Sequence, residues 1–345
     1  MGNIYYDGTK LLSLPDLSGN KPELYILTGN RSSGKTTFFN RLAVKRFIKK
    51  RQKTAFLYRF NYELEECANK IFKDIQGLFF PNYTMTQKNI CSDKAVELFL
   101  NDESCGYGIA LNNADDIKKY SHLLSDTDFI IFDEFQSETN HYCNNEIAKF
   151  INIHKSIARG QGKMSRYVPV YMISNCVSLI NPYFIEMGIS DRIKSDTKFL
   201  RGNGYVLELN FNENAANASK LSGFEQAFAS NQYVAYSSQN VYLNDNLSFI
   251  ENIKQPMKYV CTLSYMGNYF SIKECEKLGI LYCDTKIDHT FPYRIAVTTD
   301  DHKINYVILA KNQVFIKAMR KFFENGCFRF KNQLAKQALL KLISY

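Results

Sequence analysis

The residues best suited to chemistry are Gly29-Asn30-Arg31-Ser32-Ser33-Gly34-Lys35-Thr36, a full G-x-x-x-x-G-K-[ST] run followed by Thr37. A loop of this composition aims successive backbone N–H groups and a helix N-terminus at one point, which favours an anion. Gly29 and Gly34 permit the tight backbone path. On this reading Lys35 reaches the β- and γ-phosphates of ATP, and the Thr36 hydroxyl binds Mg²⁺. The second candidate is Phe129-Ile130-Ile131-Phe132-Asp133-Glu134, in which four apolar residues end in two acids. That pattern predicts a buried strand with both carboxylates at its C-terminal end, the Walker B arrangement. Asp133 then joins the Mg²⁺ shell, and Glu134 orients and polarises the attacking water. Alone, the first run could be a glycine-rich turn and the second a strand ending in solvated acids. Their order in one chain points to ATP hydrolysis rather than small-molecule phosphorylation, because the second carboxylate supplies a base for water.

A parallel α/β sheet is the natural frame for these residues. Tyr25-Ile26-Leu27 reads as a short buried strand leading into the loop, and Thr36 through Ile48 as the helix leading out. Thr54 to Tyr58 reads as a second strand. Arg59-Phe60-Asn61-Tyr62 follows it, where such a sheet presents its functional loops. Residues 63–80 read as a helix with Leu64, Ala68, Ile71 and Ile75 on one face, and 105–112 as a short strand. Residues 113–127 are polar and contain Lys118 and Lys119. A helix over 144–158 leads to Arg159-Gly160-Gln161-Gly162-Lys163, either a surface charge or a mobile finger serving a neighbouring subunit. Val168 to Ile173 is another strand. It ends in Ser174-Asn175, which either sense the γ-phosphate and water or cap the next turn. Tyr5 and Tyr6 either stack on an adenine or pack on the domain edge.

The chain has 345 residues, enough for two domains, and its 45% hydrophobic content can fill a sizeable core. The formal charge of +9 suits an anionic partner such as nucleic acid, though it also serves solubility. The helix after the loop ends in Lys49, Lys50 and Arg51 with no acid among them. These are candidate nucleic-acid contacts or a solvated helix end. Nine cysteines without C-x-x-C pairs give a zinc site no support and read as reduced cysteines of a cytoplasmic protein. No apolar run is long enough to span a bilayer, and no signal-peptide pattern is present.

The whole chain resembles the phi29-type bacteriophage DNA-packaging ATPases, relatives of the terminases. The resemblance rests on the glycine-rich loop and on Ile131-Phe132-Asp133-Glu134-Phe135. It rests more specifically on Ile173 to Ser178 followed by Asn181-Pro182-Tyr183-Phe184, and on Tyr282-Cys283-Asp284-Thr285, Thr298-Thr299-Asp300-Asp301 and Asn325 to Gln333. It implies an N-terminal ASCE P-loop ATPase domain over 1–199, a linker region over 200–240, and a C-terminal α+β RNase H-like vestigial nuclease domain over 241–345. It further implies a homomeric ring, a pentamer, that moves double-stranded DNA into a prohead in the host cytoplasm. The prohead portal and a structural prohead RNA would be its docking partners. Arg31 stands where terminase-like loops carry an arginine near the phosphates, Arg159 where the family places an arginine finger acting in trans, and Lys118 or Lys119 near a trans-acting lysine.

The second half reads independently as α+β. Residues 200–240 are rich in Asn, Ala and Ser and read as a linker with short helices or as an elaboration of the first domain. Strands are expected over 257–263, 269–272, 279–284 and 295–298, and helices over 311–324 and 332–343. Asp284 and Asp300-Asp301 end strands, too few acids for a two-metal nuclease, so a lost nuclease is favoured. Arg329 and Lys331 lie among interleaved aromatics as candidate nucleic-acid contacts. The competing readings are a terminase with a living nuclease and a nucleotide-gated nucleic-acid-binding switch, which Glu134 argues against. If the chain grips phosphates rather than bases, its binding to double-stranded DNA will be insensitive to base sequence and will fall steeply with salt. Filter binding across a salt series checks this, and a base preference persisting at high salt would point away from a translocase.

Overall fold

A computed structural model describes residues 6–139, 141–159, 165–179, 181–189, 192–193, 197–227, 249–309 and 313–343. The chain divides into two compact units, Met1–Asn244 and Asp245–Tyr345. The first contains α1 (Thr9–Ser13), β1 (Leu24–Gly29), α2 (Lys35–Lys50), β2 (Lys53–Tyr58), α3 (Cys67–Phe79), β3 (Met85–Ile90), β4 (Ala95–Leu100) and β5 (Glu103–Ala110). It continues with α4 (Ala114–Ile117), β6 (Thr127–Asp133), α5 (Glu146–Ala158), β7 (Val170–Asn175), α6 (Pro182–Glu186), β8 (Phe199–Gly202), β9 (Tyr205–Asn210), α7 (Glu213–Lys220) and α8 (Gly223–Ala227).

Its strands form one nine-stranded sheet in the order β3-β4-β5-β2-β6-β7-β1-β9-β8. From β5 to β9 in that order neighbouring strands are parallel, so their C-terminal ends share one edge. The strand alternation sorts the core into two layers. Tyr25, Leu27, Phe129 and Ile131 face Phe39, Val44, Ile71 and Phe72 of α2 and α3. Ile26, Ile130 and Phe132 face Ile117, Phe150, Ile153 and Phe184 on the other side. β7 lies between β1 and β6, with Thr28 opposite Ser174, Gly29 opposite Asn175 and Asp133 opposite Ile173. This register sets the loop, the two acids and the Ser-Asn pair side by side.

In the first unit two features differ from the sequence reading. The β3–β4 hairpin was not legible, because β3 is an edge strand of mostly polar residues and its turn, Cys91-Ser92-Asp93, runs through positive φ without a glycine. The linker assigned to 200–240 begins too early, since β9 pairs in parallel with β1 and β8 pairs with β9. That neighbour requires a glycine at position 29: a Cβ there would stand 2.3 Å from the Asn210 carbonyl oxygen. Residues 228–248, which include the end of that linker, lie outside the described residues.

The second unit holds β10 (Lys258–Tyr265), β11 (Asn268–Cys275), β12 (Ile280–Asp284), β13 (Arg294–Ala296), β14 (Val307–Ile308), α9 (Val314–Glu324), β15 (Phe328–Phe330) and α10 (Gln333–Ile343). Its sheet order is β14-β13-β10-β11-β12-β15. β10, β11 and β12 form an antiparallel meander, and β13 and β14 continue in parallel beside β10, which is the RNase H-like arrangement. β15 adds in parallel to β12. Cys261, Leu263, Ile272, Cys283, Phe330, Ala335 and Leu339 are fully buried and make a core of its own. Residues 245–345 expressed alone will therefore unfold cooperatively, and Phe330→Ala will cost this fragment about 3–5 kcal/mol by chemical denaturation.

Candidate nucleotide site

The phosphate-loop motif closes into a turn because two of its residues take left-handed backbone, Ser32 at φ 56° and Gly34 at φ 87°. Gly34 caps the start of α2. Lys35 is buried and its Nζ donates to the carbonyls of Gly29 (3.1 Å) and Asn30 (2.6 Å), to Ser33 Oγ (3.3 Å) and to Asn175 Oδ1 (3.3 Å). Burial pulls its pKa down to about 8, so a nearby anion would restore what desolvation costs. The Thr36 hydroxyl donates to Asp133 Oδ2 at 2.7 Å. A hydroxyl and a carboxylate brought together from α2 and β6 are hard oxygen donors, and they fit Mg²⁺.

Arg31 through Thr37, together with Asp133, Glu134, Ser174 and Asn175, line one cleft of about 370 Å³. The Ser174 hydroxyl is buried there without a hydrogen-bond partner among the described residues. Gly29 and Asn30, read from sequence as nucleotide contacts, lie beneath this cleft rather than in its lining. The Asn30 side chain is committed elsewhere: its amide donates to Asn212 O (3.1 Å) and its oxygen accepts from Asn212 N (2.9 Å). Tyr6 packs edge-on to Phe38, and its hydroxyl donates to Glu208 at 2.8 Å, which favours the packing reading. Tyr5 lies outside the described residues.

Glu134 has φ 57°, in the left-handed region where a non-glycine residue needs support. Arg59, at the end of β2, supplies it. Its guanidinium donates to the carbonyls of Glu134 (3.3 Å) and Phe135 (2.8 Å), and Phe135 N donates to Ile173 O at 3.2 Å. Arg59 is itself held by Glu146 at 2.9 Å, both side chains being almost fully enclosed. Glu146 also accepts from Tyr183 Oη (2.8 Å) and Cys143 N (2.7 Å). The Asn-Pro-Tyr-Phe run is thus a support: Asn181 caps α6 through Phe184 N at 3.0 Å, and Tyr183 completes the Glu146 shell. Burial, then Asp133, Glu138 and Glu63, push the Glu134 carboxyl above its ordinary range. Sequence reading placed Arg59 on a functional loop without giving it a role, and missed Glu146. Their one signal was an arginine at a strand end and a glutamate in a helix's first turn.

The remaining candidates do not join the cleft. Arg159 is exposed at the end of α5. Arg166, which follows it, bonds Thr127 O (3.1 Å) and Ile157 O (2.8 Å), so α5 ends at the strand-start edge, opposite the cleft. Gly160, Gly162 and Lys163 lie outside the described residues. Lys118 and Lys119 are exposed on a 3-10 turn, and Lys119 pairs with Asp116 at 3.0 Å. Lys49 and Lys50 are exposed at the end of α2, while Arg51 pairs with Glu103.

In the second unit Arg329 is partly buried and bonds Gly326 O (2.7 Å), Phe328 O (2.8 Å) and Glu251 Oε1 (2.5 Å). Lys331 donates to Asn252 at 2.7 Å. Both side chains are thus engaged within the unit by the stretch from Phe249 to Asn252, which reaches them across a distance in sequence, and these surface bonds leave their part in nucleic-acid binding a proposal. Asp284 accepts from Lys273 at 2.6 Å, and Asp301 accepts from Met266 N (2.6 Å) and Thr298 Oγ1 (2.6 Å).

Residues 2–344 match the family of podovirus DNA encapsidation proteins (Gp16). The chain belongs to that family. It is 23% identical over 344 residues to the DNA packaging protein of Bacillus phage phi29, covering 99% of this chain and 97% of that one. It is 27% identical over 320 residues to the DNA packaging protein of Bacillus phage B103, covering 91% and 94%. Among solved structures it is similar to the bacteriophage Phi-29 viral genome packaging motor assembly, with a TM-score of 0.71 at 21% identity over 99% of both chains. It is also similar to the Phi-28 gp11 DNA packaging motor, with a TM-score of 0.57 at 16% identity over 99% and 98%. This encapsidation protein therefore has the mixed α/β architecture of those motors.

Removing one partner of the buried pair tests the Glu134 support. Glu146→Ala strands the Arg59 charge and will destabilise the first unit by about 3–5 kcal/mol in a denaturant titration.

Proposed function

We propose that this encapsidation protein is an ATP-hydrolysing motor that moves double-stranded DNA into a preformed prohead. The observation that carries the proposal is the convergence of Lys35, the Thr36–Asp133 pair, Glu134 and the Ser174–Asn175 pair in one cleft. Lys35 and the loop N–H groups would hold the β- and γ-phosphates, and Thr36 and Asp133 would hold Mg²⁺. Mg²⁺, when bound, supplies charge neutralisation at the phosphates. Glu134 would take the proton of the attacking water on its carboxylate, and its raised pKa makes it a better base than an exposed glutamate. Ser174 and Asn175 would orient that water or the terminal phosphate.

Arg159, and either Lys118 or Lys119, would serve the neighbouring subunit's site in a homomeric ring, a pentamer. The position of Arg159 at the edge opposite its own cleft favours action across a subunit boundary over action in its own site. Lys49, Lys50 and Arg51, with Arg329 and Lys331, would contact the nucleic acid, and the prohead portal and a structural RNA would be docking partners at the assembling prohead. The RNase H-like unit is read as a vestigial nuclease. The Lys273–Asp284 pair supports that reading, since an ammonium group at 2.6 Å occupies the carboxylate a metal would need.

Glu134→Gln will keep ATP binding and lose on the order of a hundredfold or more in turnover, because an amide cannot accept the water's proton. Lys35→Ala will weaken binding itself. Arg159→Ala will bind ATP yet be inactive, and mixing it with Lys35→Ala will restore part of the turnover, since some interfaces then combine a sound loop with an intact arginine. A steady-state ATPase assay of the mixture decides it. If no mixing ratio recovers activity, Arg159 does not act in trans.

A further inference from the structure

Glu138 stands four residues beyond Glu134, on the turn that follows β6. Its Oε1 accepts from Arg31 Nη2 at 2.8 Å and from Asn175 Nδ2 at 3.4 Å. Asn175 accepts from Lys35 through its other amide atom, at 3.3 Å. Lys35, Asn175, Glu138 and Arg31 therefore form a continuous chain across the mouth of the cleft. Arg31 and Asn175 line both that cleft and a second cavity of about 230 Å³, whereas Glu138 lines only the second. Glu138 thus draws both side chains from the side away from the loop.

The turn that carries Glu138 has its own supports. Ser137 N donates to the Tyr142 hydroxyl at 3.2 Å, and His141 N donates to Ser137 Oγ at 3.0 Å. The His141 ring stacks on Phe60 with centroids 4.8 Å apart. Glu138 is consequently presented by a braced loop and not merely dragged into place by Arg31. Its side chain is 29% exposed and that of Arg31 40%. A pair this open to water is weak enough to exchange. A carboxylate and a phosphate oxygen accept the same kind of charge-assisted bond from a guanidinium.

We infer that Glu138 is a positioning residue that competes with the terminal phosphate of a nucleoside triphosphate for Arg31 and Asn175, and so sets how strongly the site distinguishes a triphosphate from a diphosphate. The inference rests on the nucleotide reading proposed above. A diphosphate leaves Arg31 and Asn175 with Glu138. A triphosphate must take them from it, and loss of the terminal phosphate after hydrolysis returns them.

Calorimetric titration of the full chain with Mg·ATP and with Mg·ADP tests this, using wild type, Glu138→Gln, Glu138→Ala and Lys35→Ala. Removing the competitor is expected to tighten ATP binding about two- to fivefold in both Glu138 variants while ADP binding stays within about twofold. In steady-state turnover Glu138→Gln will lower KM and kcat together, because the terminal phosphate is better held and more slowly released. A merely structural role would weaken ATP and ADP alike and lower the melting temperature. An unchanged or reduced ATP-to-ADP preference in a folded Glu138→Gln protein overturns the role of Glu138 alone. Absence of any ATP binding that Lys35→Ala abolishes overturns the nucleotide reading, and this inference with it.

Discussion

The Arg59 guanidinium is clasped at 2.9 Å by a Glu146 carboxylate that is almost wholly enclosed, and it turns its remaining donors to the carbonyls of Glu134 and Phe135. A charge pair out of water is costly unless every remaining donor and acceptor finds a partner. Here Tyr183 and Cys143 complete the glutamate's shell, and two backbone carbonyls complete the arginine's. In return a glutamate is fixed in a backbone conformation that side chains seldom adopt. Four elements meet at this pair: β2, β6 with its following turn, the start of α5, and α6. The orientation of the proposed base therefore depends on the packing of the whole strand-end face.

The second constraint is register. Because β7 sits between β1 and β6 and all three are parallel, the loop, the Ser-Asn pair and the Asp-Glu pair end at one level. The Thr36–Asp133 bond closes the gap between the two outer members. On the far side of β1, β9 holds the loop from below, with Asn210 against Gly29 and Asn212 paired to Asn30. The phosphate-loop motif is thus tied directly to the chain that leads onward to α7 and the second unit. Its asparagine serves that tie, which explains why a residue inside the motif is not part of the cleft lining.

The +9 excess suggests a broad basic surface. Some basic side chains are engaged by acids, Arg51 with Glu103, Arg329 with Glu251 and Lys273 with Asp284, but each such pair takes one charge of either sign and leaves the excess unchanged. Lys49 and Lys50 stay exposed in the last turn of α2. Interleaved aromatics near the C-terminus carry a packing role, since Phe328 and Phe330 stack on each other and are fully buried.

The sequence by itself determined the chemistry. A glycine-rich loop between a strand and a helix, and an apolar run ending in two acids, specify local structure through short-range sterics and alternation, so Lys35, Thr36, Asp133 and Glu134 were legible as one constellation. The Ser174-Asn175 end, the first four strands of the second unit and its two helices were legible for the same reason, whereas the short strands β14 and β15 were not read. The tertiary structure decided what holds those residues in place. Arg59 and Glu146 are 87 positions apart, Asn30 and Asn212 are 182 apart, and Arg31 and Glu138 are 107 apart. No periodicity encodes a pairing between residues so far separated. It exists only once the sheet has brought β2, β6, β7, β1 and β9 to a common edge. The β3–β4 hairpin and the true extent of the first sheet past residue 200 were hidden likewise, because a polar edge strand and a short strand beside the loop are strands only by virtue of the neighbour whose backbone they pair with.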